Sequence, residues 1–159
     1  MDIPAEVTRF RDLAREYCSW AQNPQNDGRD DVETALRLIS SLYHSALSLP
    51  GTGPSQLEHE DLLDKVDVKN VYECLQERLP FQYYFDIFNP VTSEPEEAVV
   101  GDVADDLLDV YVDLKNGLTY FDRGEPTNAV FYWHFSFGSH WGRHATSALK
   151  ALHAYAVDN

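Results

Sequence analysis

The chain has 159 residues, 43% of them hydrophobic and 13% aromatic, which suffices for one domain with a real core and is too short for two. Twelve Lys and Arg stand against 27 Asp and Glu, a formal net charge of −15. Such a surface repels phosphate backbones and anionic lipid, which sets aside nucleic acid and membrane as partners and leaves a basic protein as the partner it suits.

Two cysteines, Cys18 and Cys74, fall inside helical patterns without metal-type spacing, so neither a disulfide framework nor a zinc cluster is indicated. The opening MDIPAEVTRFRD carries acids and a proline where a signal peptide carries a basic start and an apolar run. No window approaches the ~18 apolar residues of a membrane span, and a cytoplasmic setting is expected.

Taken in chain order, Ile3, Val7, Phe10, Ala14, Tyr17 and Ala21 recur at steps of four and three, with Pro4 and Glu6 suited to a helix start. This first helix is ended by Asn23 and Pro24. After a turn over 25–28, Asp30 with Glu33 resembles a capping box. Val32, Ala35, Leu36, Ile39, Leu42, Tyr43 and Ala46 mark a second helix that stops before Pro50. The run PGTGP over 50–54 cannot continue a helix. A short helix is expected after it, capped by Ser55 and Glu58, with Leu62, Leu63 and Val66 inward.

Asp67 opens a third long pattern through Val71, Cys74, Leu75 and Leu79, broken or kinked at Pro80. Phe81, Tyr84, Phe85 and Phe88 then share one helical face, read as core, with an aromatic ligand pocket as the alternative. Residues 89–97 form a second loop, and Gly101 with Asp102 begins the most regular helix, DVADDLLDVYVDLKNGL, closing at Gly117. No segment alternates as a strand does. Asn116-Gly117, the nearest hairpin signal, follows a helical period.

The last pattern, AVFYWHFSFGSHWGRHATSALKALHAY over 129–155, is wound at about 100° per residue. Val130, Trp133, His134, Phe137, Trp141, Ala145, Ala148, Leu152 and Tyr155 then lie on one arc, with Ser136, Ser139, Arg143, Thr146, Ser147 and Lys150 opposite. Two tryptophans in the stripe, and small residues at Gly138, Gly142, Ala145 and Ala148, make this helix the expected centre of the fold. The whole reads as one all-α domain over 1–159, a single helical bundle of about five main helices.

Chemistry concentrates on the last two helices. Asp102, Asp106, Asp109 and Asp113 border one apolar arc, and like charges at i, i+4 cost roughly 0.2–0.5 kcal/mol per pair. A solvated acidic edge is the plain explanation. The alternatives are a divalent cation, the one cofactor the residues allow, or positive side chains from neighbouring helices. His140 and His144, four apart, project from one side at the spacing that lets two imidazoles hold one metal. Trp141 stands where a zinc protease motif has its glutamate, so that general base is lacking.

His134, deep in the arc, reads as a core histidine giving a ring proton to a carbonyl or carboxylate. With Trp141, His140 and His144 it completes the candidate binding residues of that helix. Asp105, Asp106 and Asp109 resemble the DDxxD run of magnesium-dependent diphosphate enzymes, without the basic partner motif those carry. No glycine-rich phosphate loop, activated nucleophile or dinucleotide fingerprint occurs. A link of roughly ten residues makes the two helices antiparallel neighbours; one hand of packing brings at least one of the four aspartates within reach of a ring nitrogen of His140 or His144, and the other turns the stripe to solvent.

Three strings, YYFDIFNP, DVADDLLDVYVDLKNGL and WHFSFGSHWGRHATSALKALHAY, together resemble an uncharacterised bacterial family of small all-helical proteins catalogued as a domain of unknown function. In that family an Asp-rich helix is followed by a His-Trp-Gly helix. The resemblance spans Phe81 to Tyr155 and implies an all-helical fold in a bacterial cytoplasm, with no activity or catalytic residue carried over. From the residues alone, the favoured reading is a non-enzymatic binding or regulatory protein whose acidic surface meets a protein partner. The alternative is a divalent-metal-binding protein or metal-dependent hydrolase using the aspartate stripe and the His140/His144 pair.

Overall fold

Helix α1, Ala5–Ala21, buries Val7, Phe10, Ala14, Tyr17 and Ala21, as its spacing of three and four predicts, and with them Cys18 and Trp20, while Ile3 lies ahead of the helix and is exposed. The computed structural model describes residues 2–23, 28–51, 53, 57 and 62–159. Helix α2, Gly28–Ala46, begins ahead of Asp30, so that residue lies inside the first turn instead of capping it. Its neighbour Asp31 is fully buried and holds three elements together. Arg78 places Nη2 2.8 Å from Asp31 Oδ1 and Nε 3.2 Å from Oδ2. Trp20 Nε1 donates to Asp31 Oδ1 at 2.9 Å, and Arg78 Nη1 donates to the carbonyls of Trp20 and Ala21 at the end of α1.

The short helix expected after Ser55 has both its caps, Ser55 and Glu58, outside the described residues. Of the positions assigned to its inner face, Val66 is exposed at 65%. It belongs to helix α3, Lys65–Arg78, whose N-cap is Asp64, accepting from the Val66 and Asp67 amides. The helix thus starts ahead of Asp67, because Asp64 satisfies two of the free N–H groups of the first turn. It ends before Pro80, where Leu79 is already extended.

Past Pro80 the expectation of a helix fails. Strands β1, Tyr83–Asp86, and β2, Val99–Asp102, pair antiparallel with Tyr83 opposite Asp102, Tyr84 opposite Gly101, Phe85 opposite Val100 and Asp86 opposite Val99. Period two replaces period 3.6 because aromatic residues favour an extended backbone and α3 has just been closed. Tyr84 turns inward, while Tyr83 and Phe85 are exposed at 64% and 75% and Phe88 at 61%, so the supposed aromatic core face does not exist. Of the four rings assigned to that face, Phe81 stacks flat, on Tyr155 with ring centroids 5.1 Å apart.

Helix α4, Val103–Asp122, follows β2 directly and is capped by Asp102. It runs past Gly117. The chain turns at Gly124, whose φ of +82° is open to glycine. Gly117 serves a different end: a Cβ there would lie 1.9 Å from Trp133 Nε1, and the missing side chain lets that indole donate to Leu114 O at 3.1 Å.

Helix α5, Pro126–Ser136, continues through a π-turn, Phe137–Trp141, into α6, Gly142–Asp158. Counting this broken rod as one, five main helices make an all-α bundle with a small hairpin on its side. The centre is α4, which packs on α1, α3, α5 and α6, and not the last helix as its tryptophans suggested.

The π-turn corrects the helical wheel. One extra residue in a turn rotates all that follows by about 100°. Before the turn Ala129, Val130, Trp133 and Ser136 are buried; after it Gly142, Ala145, Ala148, Ala151 and Leu152 are. An uninterrupted wheel carries Val130 and Trp133 inside, as found, but misplaces residues beside them: His134 is exposed and Ser136 is buried. Among the described residues no helix is long and apolar enough to cross a membrane.

Candidate metal centre

Asp106, Asp109 and Asp113 occupy one face of α4 at i, i+3 and i+7, turned toward the π-turn and the start of α6. Asp106 and Asp113 are buried, at 7% and 5% exposure, and each takes one imidazole. His140 Nδ1 lies 2.7 Å from Asp113 Oδ2, and His144 Nδ1 lies 2.8 Å from Asp106 Oδ1. With Nδ1 fixed as donor to a carboxylate, the tautomer of the neutral ring leaves the Nε2 lone pair free.

Both Nε2 atoms converge on Asp109. His144 Nε2 is 3.3 Å from its Oδ2 and His140 Nε2 is 4.0 Å from its Oδ1, and the two rings meet edge to face with centroids 4.8 Å apart. One donor atom from each of the three residues lies within 4.8 Å of the others. Bonds of 2.0–2.2 Å to a tetrahedral ion put ligand atoms about 3.3 Å apart, so small side-chain rotations close the set. The side chains of His140, His144 and Asp109 are partly exposed, which leaves this side of the cluster open to solvent.

Behind each carboxylate stands a phenol. Tyr84 OH, from β1, donates to Asp106 Oδ2. Tyr132 OH, from α5, donates to Asp113 Oδ1 at 3.2 Å and accepts from Asn116 Nδ2 at 3.0 Å. Burial first, then the adjacent carboxylate, raises both phenols, Tyr132 to about 12 and Tyr84 further, so both remain donors at neutral pH. The result is two Tyr–Asp–His chains whose imidazoles face a third carboxylate.

Charge on this face is only partly balanced. Desolvation raises Asp109 and Asp113 above the usual carboxylate range, opposed by the two histidines. Burial, with Asp102 and Asp106 nearby, also raises Asp105. The hydrogen bond to Asp106 raises His144 against the desolvation that lowers it. Extra positive charge at the Nε2 side relieves the carboxylates, and either an imidazolium or a metal dication supplies it.

Local backbone explains why the rings point this way. His140 lies in the π-turn, where the Gly142 amide donates to Phe137 O. A Cβ at 142 would sit 2.4 Å from that same oxygen, so the wide turn needs glycine there. At the hairpin, a Cβ on Gly101 would lie 2.4 Å from Tyr84 Cζ; the bare backbone opposite Tyr84 lets its ring lie flat and its hydroxyl reach Asp106.

Of the four stripe aspartates, the structure brings three to the histidines. Asp102 is diverted: its Oδ1 caps α4 and its Oδ2 accepts from Tyr72 OH at 2.9 Å and Gln82 Nε2 at 3.0 Å. His134 is exposed on α5 and enters none of these contacts. Trp141 is fully buried, packed on Phe10 and Phe137 with Nε1 3.3 Å from Trp133 O, so it is a packing residue out of reach of a ligand from solvent. Tyr84 and Tyr132 had no signal in the sequence, since one was assigned to the wrong periodicity and the other carries no motif.

The family model described as Domain of unknown function (DUF5063) matches residues 1–158. The crystal structure of protein BF1032 from Bacteroides fragilis is similar with a TM-score of 0.79 at 21% identity, covering 94% of this chain and 90% of that one. At that identity the likeness is one of fold. No curated protein matches the chain.

Proposed function

The chain belongs to the DUF5063 family of uncharacterised, small, largely helical bacterial proteins, and we propose that this member binds a divalent transition-metal ion through Nε2 of His140, Nε2 of His144 and the carboxylate of Asp109. One observation carries the reading. Each imidazole is held at Nδ1 by a buried aspartate while both Nε2 atoms face one carboxylate, the carboxylate–histidine–metal arrangement that orients ligands and raises their basicity. Two nitrogens and one oxygen suit zinc and its neighbours better than magnesium or calcium, which take oxygen shells. Three protein ligands leave a fourth position for water, as in catalytic zinc sites, and activation of that water is the chemistry within reach.

Titration calorimetry and thermal shift with zinc, cobalt, manganese, magnesium and calcium test this. An ion that binds only the folded state stabilises it by about 2.7 kcal/mol at a hundredfold excess over its dissociation constant. The expected result is a shift with zinc or cobalt that His140→Ala/His144→Ala abolishes. No shift with any transition metal overturns the proposal and leaves the cluster an ion-pair network.

A second reading, docking of a basic protein partner in the cytoplasm, draws support from the exposed apolar face of the hairpin, Tyr83, Phe85 and Val100, on a chain of charge −15. It requires stoichiometric, salt-sensitive capture of a basic protein that Phe85→Ser abolishes, and capture unaffected by that substitution rejects it.

A further inference from the structure

We infer that Tyr84 is a positioning residue of the metal centre, and that through it the β-hairpin sets how tightly the ion is held; the inference rests on the metal-binding reading above. The chain of contacts is continuous. Tyr84 OH donates to Asp106 Oδ2, Asp106 Oδ1 is 2.8 Å from His144 Nδ1, and His144 Nε2 is 3.3 Å from Asp109 Oδ2. The two oxygens of Asp106 are thus divided between a phenol and an imidazole, and both fix the plane of the carboxylate. Without the phenol, the carboxylate is free to rotate about its last bond, and the ring it holds loses a defined direction.

The two Tyr–Asp–His chains are unequal in a way that makes this one adjustable. Tyr132 stands on α5 and is itself held by Asn116 of α4, inside the helical body. Tyr84 stands on a two-stranded hairpin, a unit that is marginal alone, and its outer residues Tyr83, Phe85 and Val100 are 64%, 75% and 64% exposed. Other contacts tie the hairpin and its flanks to the helices. Ser147 Oγ donates to Asp86 Oδ2 at 2.7 Å, Tyr72 OH of α3 donates to Asp102 Oδ2 at 2.9 Å, and Phe81 stacks on Tyr155. Ser147 lies one helical turn beyond His144, so hairpin and histidine share one face of α6. Coupling of this kind is reciprocal: a docked hairpin that tightens the ion is itself tightened by the ion, by the same factor.

The experiment measures zinc affinity by competition with a chromophoric chelator in the wild-type chain, Tyr84→Phe, Gly101→Ala and the control Tyr83→Phe. Tyr84→Phe keeps the ring and removes the donor; Gly101→Ala keeps the donor and forces the ring aside. Both are expected to weaken zinc by about 10–100-fold, with Tyr83→Phe unchanged. A purely structural role moves only the melting temperature of the metal-free protein. A positioning role also means that zinc slows amide hydrogen exchange over residues 83–86 in the wild type and does not in Tyr84→Phe. If wild type binds zinc and Tyr84→Phe binds it equally well, this inference is overturned and the metal centre stands. If wild type binds no transition metal, both fall. If Tyr84→Phe does not fold, Gly101→Ala decides by the same two readouts.

Discussion

His144 Nδ1 lies 2.8 Å from Asp106 Oδ1, across the contact between α6 and α4. The pair joins a residue of the aspartate stripe to one of the spaced histidines, and the same join recurs at His140 and Asp113, 2.7 Å apart. An aspartate in this role both orients the ring and makes its far nitrogen a better ligand. Asp106→Asn keeps an acceptor oxygen and removes the charge, so zinc affinity is expected to fall about 10–100-fold with the helical content unchanged. Calorimetry checks it, and an unaltered dissociation constant removes Asp106 from the centre.

The π-turn supplies the second prediction. Adding a methyl at Gly142 drives it into Phe137 O, so Gly142→Ala forces the turn to re-form as ordinary helix and rotates His140 away from Asp113. The expected result is a loss of about 1–3 kcal/mol of stability together with most of the zinc affinity. Gly138→Ala, where nothing lies within 4 Å of the added methyl, is the control, expected to stabilise by about 0.5–1 kcal/mol through helix propensity. Equal metal affinity in the two variants would show that the turn does not set the histidine.

The long helices were legible because each buries one face repeated over about three turns or more: Val7, Phe10, Ala14 and Tyr17 in α1, and Val103, Leu107, Val110, Leu114 and Leu118 in α4. The hairpin was not, since four residues such as Tyr83–Asp86 give too few positions to separate period two from period 3.6. The π-turn has no signature in residue types, and a wheel at fixed pitch placed His134 inside and Ser136 outside, the reverse of what is found. At the candidate site, spacing and the short link left two arrangements open, the stripe toward the histidines or toward solvent, and packing of α6 on α4 selects the first for Asp106, Asp109 and Asp113. The role of Asp102 as a cap was hidden, because a capping aspartate and a stripe aspartate look alike until the helix start is known. The buried Asp31–Arg78 pair joins residues 47 apart in sequence, and nothing local announces it.

That pair yields a third prediction. Both side chains are almost entirely enclosed, 5% and 0% exposed, so removing one leaves an uncompensated charge in the core. Arg78→Met is expected to cost about 3–5 kcal/mol, whereas replacing both partners by apolar residues of similar volume costs far less. Urea unfolding of the single and double variants checks it; equal losses would mean that the pair acts through packing alone.

Core position separates two residues of the last helix. Trp141 is fully enclosed between Phe10 and Phe137, and Trp141→Ala should cost about 3–5 kcal/mol through the cavity it opens. Lys150 is exposed, and Lys150→Ala should change stability by no more than about 0.5 kcal/mol. Chemical denaturation of both variants gives the comparison, and two equally mild effects would contradict the phase of the rod from the π-turn into α6.

Cys18 gives the alkaline limit of the fold. It is 3% exposed on α1, and burial pushes its thiol from 9.0 up to about 12, against the smaller opposing effect of Lys115. The folded chain therefore holds a proton that the unfolded chain releases near pH 9. With the folded value raised, the stabilisation is complete below pH 9 and is lost as pH rises toward 12, at about 1.4 kcal/mol for each unit. Tyr17, raised by burial with its hydroxyl donating to Leu107 O at 2.7 Å, acts in the same direction. Urea midpoints should fall steeply above pH 9. Cys18→Ala should lower the midpoints below pH 9, because it leaves a small void, yet flatten the decline above it. A thiol reagent at pH 8 should label Cys18 only when the chain unfolds, so labelling in the native state at the rate of a free thiol would place Cys18 outside the core.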